Sequence, residues 1–164
     1  MRTCPTNATL LIAYINGTYP EARNPRDSLI FVGDQLQSYK SLLARIDRTN
    51  KVLCINHSLI GYSVTTTAHI FSLRGFCDNY QVFIVPFGKQ SLHVVRWYWE
   101  CIEELIPKYL RSITKKEIYK SDIHELISKV EAYVDYMQLD RSSEEYMYKT
   151  EVTRQLFKHK LLKV

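Results

Sequence analysis

The chain has 164 residues, 46% of them hydrophobic, and a formal net charge of +5. This length fits a single domain, residues 1–164, that buries a core without metal or disulfide support. The apolar run at 8–15 is too short to cross a bilayer and lacks the flanks of a signal peptide, so we expect a cytoplasmic protein with no membrane partner.

The first predicted element is a strand over residues 8–15 (ATLLIAYI), which Asn16 and Gly17 follow. Asn-Gly is the preferred pair for a tight hairpin turn, so we expect the chain to reverse there. A helix over the same residues is the alternative. Residues 18–27 contain Pro20 and Pro25 and predict an irregular connection.

The centre of the chain predicts an antiparallel meander of three strands. An apolar run at 29–32 precedes Gly33 and Asp34, a turn pair, and a return strand follows from residue 35 to 47. Leu43 breaks the alternation of that strand. Residues 47–50 form a polar turn, and 51–56 (KVLCIN) predict the third strand.

A short helix and a last strand follow the meander. Ser63 or Thr65 can cap a helix at about 64–75, and Gly75 suits the position just past its end. Residues 80–85 (YQVFIV) predict a strand with apolar residues on both faces, which favours an interior place in the sheet.

Beyond Gly88 the periodicity is helical. Ser91 can cap a first helix, with a kink or break expected near Pro107, and Ser121 can open a second. Ser142 and Glu145 form a capping box for a third. The predicted fold class is therefore α+β: residues 1–88 are mainly β with one short helix, and residues 89–164 form three α-helices packed on the sheet.

Cationic residues in the helical half are candidates for binding nucleic acid or a protein partner. They form two groups in the sequence. The first group has one acidic residue nearby, Glu117, and the second group has none between its members. Such patches attract phosphate backbones or acidic proteins, although lysines near helix C-termini also complement the dipole and keep a surface soluble. The groups are Lys108, Arg111, Lys115, Lys116 and Lys120, and Arg154, Lys158, Lys160 and Lys163.

The start of the short helix is a candidate anion or ligand site. Free backbone N–H groups and hydroxyls at a helix N-terminus can bind a phosphate or carboxylate. Threonines there are also ordinary caps, and His69 lies four residues before Leu73 on what we expect to be the packed face. The candidate residues are Arg45, Thr65, Thr66, Thr67 and His69.

We expect no metal and no cofactor. The four cysteines form no C-x-x-C pair, and no two histidines have H-x-x-x-H spacing. We therefore expect all four cysteines to be reduced thiols. Aromatic residues beside arginine or lysine can stack with bases or anchor a protein, but they fill cores equally well; these are Tyr39, Tyr62, Trp97, Tyr98 and Trp99.

Two segments carry a resemblance to a known family. Residues 38–44 (SYKSLLA) and 62–69 (YSVTTTAH) resemble small uncharacterised proteins of phages and bacterial mobile elements, which pair a Ser-Tyr-x-Thr-x-Ile-Ala strand with a Tyr-Ser-x-Thr-Thr-x-x-His helix start. Ser41 and Leu43 depart from that pattern. The resemblance implies a mobile-element protein in a host cell cytoplasm and brings no known reaction.

Three functional hypotheses follow. The first is a non-enzymatic accessory protein that binds nucleic acid or a nucleoprotein complex through a basic, aromatic-rich surface. The second is a protein that binds a host protein, for example as an inhibitor of a defence system. The third is an enzyme that acts on a phosphorylated ligand around His69 and Arg45. We prefer a non-enzymatic binding role, with nucleic acid as the first candidate partner, because the sequence contains no constellation that a reaction requires.

Overall fold

A computed structural model describes residues 1–161 of the chain. It divides into two compact units, Met1–Phe87 and Gly88–Val164. The first contains a seven-stranded sheet with two α-helices, and the second contains three α-helices. The predicted α+β class is therefore confirmed.

Strands of the sheet lie side by side in chain order. The central pairings are antiparallel, whereas β1 with β2 and β6 with β7 are parallel. The predicted meander is present, but β7 forms an edge of the sheet and not an interior strand, because within the described residues it pairs with β6 alone. The strands are β1 Arg2–Thr3, β2 Glu21–Arg23, β3 Leu29–Val32, β4 Gln35–Ser38, β5 Ser41–Asp47, β6 Val52–Asn56 and β7 Gln81–Val85.

The prediction of a single return strand over residues 35–47 is wrong. These residues form two strands, β4 and β5, which are joined by a two-residue turn at Tyr39 and Lys40. The φ angles of the two turn residues are 48° and 68°. Neither residue is typical of a positive-φ position, so the sequence does not signal the turn. A bulge between Leu36 and Gln37 shifts the register.

The prediction of a strand over residues 8–15 is also wrong, since this segment forms the helix α1, Asn7–Asn16. The Thr6 hydroxyl caps its start, and Gly17 ends it in the left-handed conformation with φ of 63°. Asn-Gly suits a helix end as well as a hairpin, so the pair does not distinguish the two. The buried positions follow a helical and not an alternating period: they include Leu10, Leu11, Tyr14 and Ile15.

A guanidinium group joins the end of α1 to the hairpin between β3 and β4. Arg48 Nε donates to the backbone oxygens of Tyr14 (3.1 Å) and Ile15 (3.2 Å), and Nη2 donates to those of Tyr14 and Gly33 (3.2 Å to Gly33). The last carbonyls of a helix lack the usual partner four residues ahead, and Arg48 adds to the bonds that the Tyr14 carbonyl accepts from the Gly17 N–H (3.3 Å) and the Ile15 carbonyl from the Tyr80 hydroxyl (3.5 Å). A Cβ on Gly17 would lie 3.1 Å from Arg48 Nε, so a side chain there would displace the guanidinium by a few tenths of an ångström.

The second helix, α2 Val64–Gly75, begins as predicted. The Ser63 side chain accepts a hydrogen bond from the backbone N–H of Thr66. The helix includes Gly75 and is capped by Phe76, one residue later than predicted. Both helices bury side chains in one core with the sheet, which includes Leu10, Tyr14, Phe31, Leu43, Ile70 and Leu73.

The second unit consists of α3 Ser91–Arg111, α4 Lys116–Met137 and α5 Glu144–Lys158, and α3 contacts both other helices. Of the kink or break predicted near Pro107, the break is absent, since α3 continues through this residue to Arg111. Helix α4 begins five residues before the predicted start at Ser121. The last helix is capped by Ser143 in place of the predicted Ser142.

Apolar residues recurring every three or four positions form the interior of this unit. On α4, Ile123, Val130 and Val134 are buried, Leu126 and Ile127 are half-buried, and Met137 at the end of the helix is exposed. No helix within residues 1–161 is long and apolar enough to cross a membrane. The buried residues include Val94, Val95, Tyr98, Trp99, Ile102, Val130, Val134, Val152 and Leu156.

Candidate functional site

His69 lies in a buried polar network beneath the start of α2. Its side chain is 3% exposed. Nδ1 lies 3.0 Å from the Ser38 hydroxyl at the end of β4, and Nε2 lies 3.2 Å from the Asn7 amide nitrogen at the start of α1. The Ser38 hydroxyl is in turn 3.3 Å from that of Thr66. The imidazole therefore links α2 to α1 and to the sheet.

The direction of these hydrogen bonds is set by the backbone around Asn24. Its Oδ1 accepts from the backbone N–H groups of Ser28 (2.9 Å) and Leu29 (3.2 Å), which fixes the orientation of the amide. Asn24 Nδ2 therefore donates to Asn7 Oδ1 at 2.8 Å. It follows that Asn7 presents its NH₂ group to His69 Nε2, which must accept.

His69 is consequently a neutral imidazole with its proton on Nδ1, which donates to the Ser38 hydroxyl. This tautomer cannot take a proton from Ser38, so the pair is not arranged as a serine nucleophile with its base. Burial lowers the pKa of His69 from its ordinary value of 6.5. A proton on Nε2 would also face the Asn7 NH₂ group, which disfavours the imidazolium further.

This environment makes the stability of the first unit dependent on pH. The folded-state pKa of His69 is lower than the unfolded-state value, so the stabilisation is fully present above pH of about 6.5 and is lost as pH falls below it. We expect the free energy of unfolding to decrease by up to about 1.4 kcal/mol per pH unit down to the folded-state pKa. Urea unfolding at several pH values measures this decrease.

Two comparisons make that result specific to His69. His69→Gln should remove the decrease in unfolding free energy that His69 causes below pH of about 6.5. His93→Gln, a change at an exposed histidine, should retain that decrease. Nitrogen-15 chemical shifts of the imidazole at neutral pH should identify a protonated Nδ1 and an unprotonated Nε2. A protonated Nε2, or an imidazolium at pH 7, would contradict the proposed hydrogen-bond directions.

Beside this network is an open cavity of about 340 Å³. Thr65 and His69 contribute to its lining, but the arginine there is Arg26 and not the predicted Arg45. Arg45 is exposed on β5, with its guanidinium 5.3 Å from the Phe87 ring centre. Thr67 is half-buried, and its N–H donates to the Ser63 carbonyl. The structure thus brings Thr65, Thr66 and His69 together.

Sequence reasoning missed the amides that organise this region. The sequence places Asn7 before a strand and Asn24 in an irregular connection, so it predicts neither of them near His69. A Thr-Asn start to a helix and an Asn four residues before a serine are common caps and turns, and such a signal is too general to identify a network.

Five cationic residues lie together at one end of the helical unit, which we call the cationic end. Lys108 and Arg111 are in the last turn of α3, and Lys115, Lys116 and Lys120 are in the connection and the first turns of α4. The Lys116 ammonium lies 5.0 Å from the centre of the half-buried Tyr109 ring. Each cation is exposed or half-buried.

Within residues 1–161, none of these five cations has a carboxylate oxygen within salt-bridge distance. Arg111 donates to the Pro107 carbonyl, which is a neutral group. Five other cations of this unit have acidic partners: Arg96 with Glu100, Lys129 with Glu125, Arg141 with Glu131 and Asp135, Lys149 with Glu131, and Arg154 with Glu151. The five cations of the cationic end therefore form no ion pair within residues 1–161, although the exposed Glu117 lies beside them in the first turn of α4.

The second predicted cationic group is less concentrated. Arg154 is paired with Glu151, whereas Lys158 and Lys160 lie at and beyond the end of α5 and are both exposed. Lys163 lies outside the described residues. Lys158 near a helix C-terminus has the favourable dipole interaction that the sequence predicted for such residues.

The aromatic residues considered for base stacking differ in exposure. Tyr98 and Trp99 are each 1% exposed and belong to the core of the helical unit, and Trp97 is half-buried. Tyr39 and Tyr62, in the first unit, are 57% and 74% exposed. Thus the aromatic surface and the cationic end belong to different units.

All four cysteines are free thiols, two of them buried and two half-buried. Burial raises the pKa of Cys54, Cys77 and Cys101 to about 11, so these thiols are protonated at neutral pH and are weak nucleophiles. No cluster of three or more His, Cys, Asp or Glu side chains suited to a metal ion occurs among residues 1–161.

Comparison of the chain with family models, curated proteins and solved structures gives no match. The resemblance to phage and mobile-element proteins stays a prediction from residues 38–44 and 62–69.

Proposed function

We propose that this protein is a non-enzymatic accessory protein that binds nucleic acid through its cationic end. The observation that supports this proposal is the absence, within the described residues, of acidic partners for five neighbouring cations. Positive charges without internal partners are available to phosphates, and binding releases the counterions condensed on a nucleic acid. The His69 tautomer supports a non-enzymatic role, because it is not available as a base toward Ser38.

The positions of the lysines on α4 favour an external anion. Lys108 and Arg111 lie at the C-terminus of α3, where the helix dipole stabilises a cation. Lys115 and Lys116 lie at the N-terminus of α4, where the dipole is positive and destabilises a cation. Dipole complementation therefore explains the first pair and not the second. A bound phosphate would interact favourably with the lysines and with the helix N-terminus together.

The test replaces Lys115, Lys116 and Lys120 with glutamine. We expect the triple variant to bind a mixed-sequence duplex about tenfold more weakly at low salt. The slope of log K against log salt should decrease by roughly 2.7, because about 0.9 counterions are released per phosphate contact. Fluorescence anisotropy at several salt concentrations measures both quantities.

Arg96, Lys129 and Arg154 provide a matched control, because each is paired with a carboxylate. Changing these three to glutamine alters the net charge equally, and we expect a slope close to that of the unmodified protein. Equal losses in both variants would mean that net charge alone governs binding. An absence of salt-dependent binding would overturn the proposal.

A host protein is the competing partner. Affinity purification from host lysate, with and without nuclease digestion, separates the two cases. Loss of the captured material after digestion is expected. A captured protein that survives nuclease treatment and is lost in the lysine triple variant would replace nucleic acid as the partner.

A further inference from the structure

Three aliphatic side chains are exposed within the cationic end. Leu110 is 46% exposed, Ile113 is 93% exposed and Ile118 is 57% exposed. Burying an aliphatic side chain stabilises a fold, and Ile113 forgoes nearly all of that stabilisation. Phosphate binding does not need these side chains, so the partner is expected to offer an apolar surface between its negative charges.

The chemistry of these side chains distinguishes two forms of nucleic acid. Proteins that bind single strands use exposed aromatic rings on which successive bases stack. At the cationic end, Tyr109 is half-buried with Lys116 over its ring, and Tyr119 is half-buried. The exposed apolar groups are aliphatic, the type that enters a base step of a duplex as a wedge.

Ile113 has the position that a wedge requires. It lies in the four-residue connection between α3 and α4, residues 112–115, between Arg111 and Lys115. Each of these cations is two residues from Ile113, so their Cα atoms lie within about 7 Å of its own. A side chain that enters a groove there would have a cation on each side to contact the flanking phosphates.

We propose that the cationic end binds duplex nucleic acid and inserts Ile113 between stacked base pairs, which bends the duplex. This inference rests on the proposed nucleic-acid function and specifies its ligand. Pyrimidine–purine steps such as TA unstack most readily, so the duplex should bend most where such a step is present.

The experiment uses the full chain and a duplex of about 20 base pairs with a central TA step, labelled at both ends for energy transfer. We expect transfer to rise on binding, and Ile113→Ala to abolish at least half of that rise. The salt slope of binding should be unchanged, because this variant keeps all five cations. Ile12→Ala, a change at an exposed isoleucine of the first unit, should bend the duplex normally.

Each outcome has a distinct meaning. Duplex binding without a change in transfer, or full bending by Ile113→Ala, would overturn the wedge and leave nucleic-acid binding in place. Tighter binding to a single strand than to the duplex would also overturn the wedge. Absence of salt-dependent binding to either form would overturn both proposals. Circular dichroism of Ile113→Ala should equal that of the unmodified protein, since the side chain is 93% exposed.

Discussion

Replacing Asn24 with alanine should destabilise the first unit by at least about 3 kcal/mol. The side chain is 4% exposed, accepts from two backbone N–H groups and donates to Asn7 and Ser28. Alanine leaves these buried groups without partners, and each unsatisfied group costs about 1–3 kcal/mol. Urea unfolding followed by far-UV circular dichroism measures the change.

Asn16 is the matched control for this substitution, because it is exposed at the end of α1. We expect Asn16→Ala to change stability by less than about 0.5 kcal/mol. A loss for Asn24→Ala no larger than this would show that the amide does not organise the network.

Asn24→Asp tests the direction of the network separately from its stability. The introduced carboxylate keeps the acceptor for the Ser28 and Leu29 N–H groups but no longer donates to Asn7. The Asn7 amide should then rotate, so that its NH₂ faces the new carboxylate and its oxygen faces His69 Nε2. We therefore expect the pKa of His69 to rise in this variant, as measured by NMR titration; an unchanged or lower pKa would contradict the mechanism.

Replacing Arg48 with glutamine should destabilise the first unit by about 2–3 kcal/mol. The guanidinium donates to the Tyr14, Ile15 and Gly33 carbonyls, and hydrogen bonds from a charged donor contribute about 1.5–3 kcal/mol. Its positive charge also lies at the negative end of α1. Glutamine is too short and has too few donors to replace all of these bonds. The same urea unfolding experiment measures the effect.

Arg45 supplies the comparison, since it is an exposed arginine on the strand that precedes Arg48. We expect Arg45→Gln to cost less than about 1 kcal/mol, because it removes only an exposed cation–π contact with Phe87. Both tryptophans lie in the second unit, so their fluorescence reports the helical unit, whereas the β-sheet signal reports the first. Equal losses for the two arginine variants would reject the structural role of Arg48.

Local signals in the sequence predicted much of the fold. Ser63 caps α2 because its hydroxyl reaches an N–H only three residues ahead. The turn after Asp47 forms because that carboxylate bonds Asn50, again three residues away. Contacts of this range depend on residue types at fixed short spacing, which a sequence displays directly.

Elements with ambiguous local signals were predicted wrongly. The segment 8–15 suits a strand or a helix by its apolar residues, and burial of one helical face against the sheet selects α1. Tyr39 and Lys40 occupy a positive-φ turn that neither residue favours. The Tyr39 N–H donates to the Ser28 carbonyl at 3.0 Å, a contact with a residue eleven positions away that no local pattern encodes.

By itself the sequence determined β3, β6, the Ser63-capped helix and the cluster of lysines at residues 115–120, because each depends on neighbours within a few positions. Only the tertiary structure decided which partners His69 has and which nitrogen holds its proton. Asn7 is 62 residues from His69 and 17 from Asn24. Hydrogen-bond direction passes along such a chain of amides only after folding has brought them together, so no spacing in the sequence reveals it.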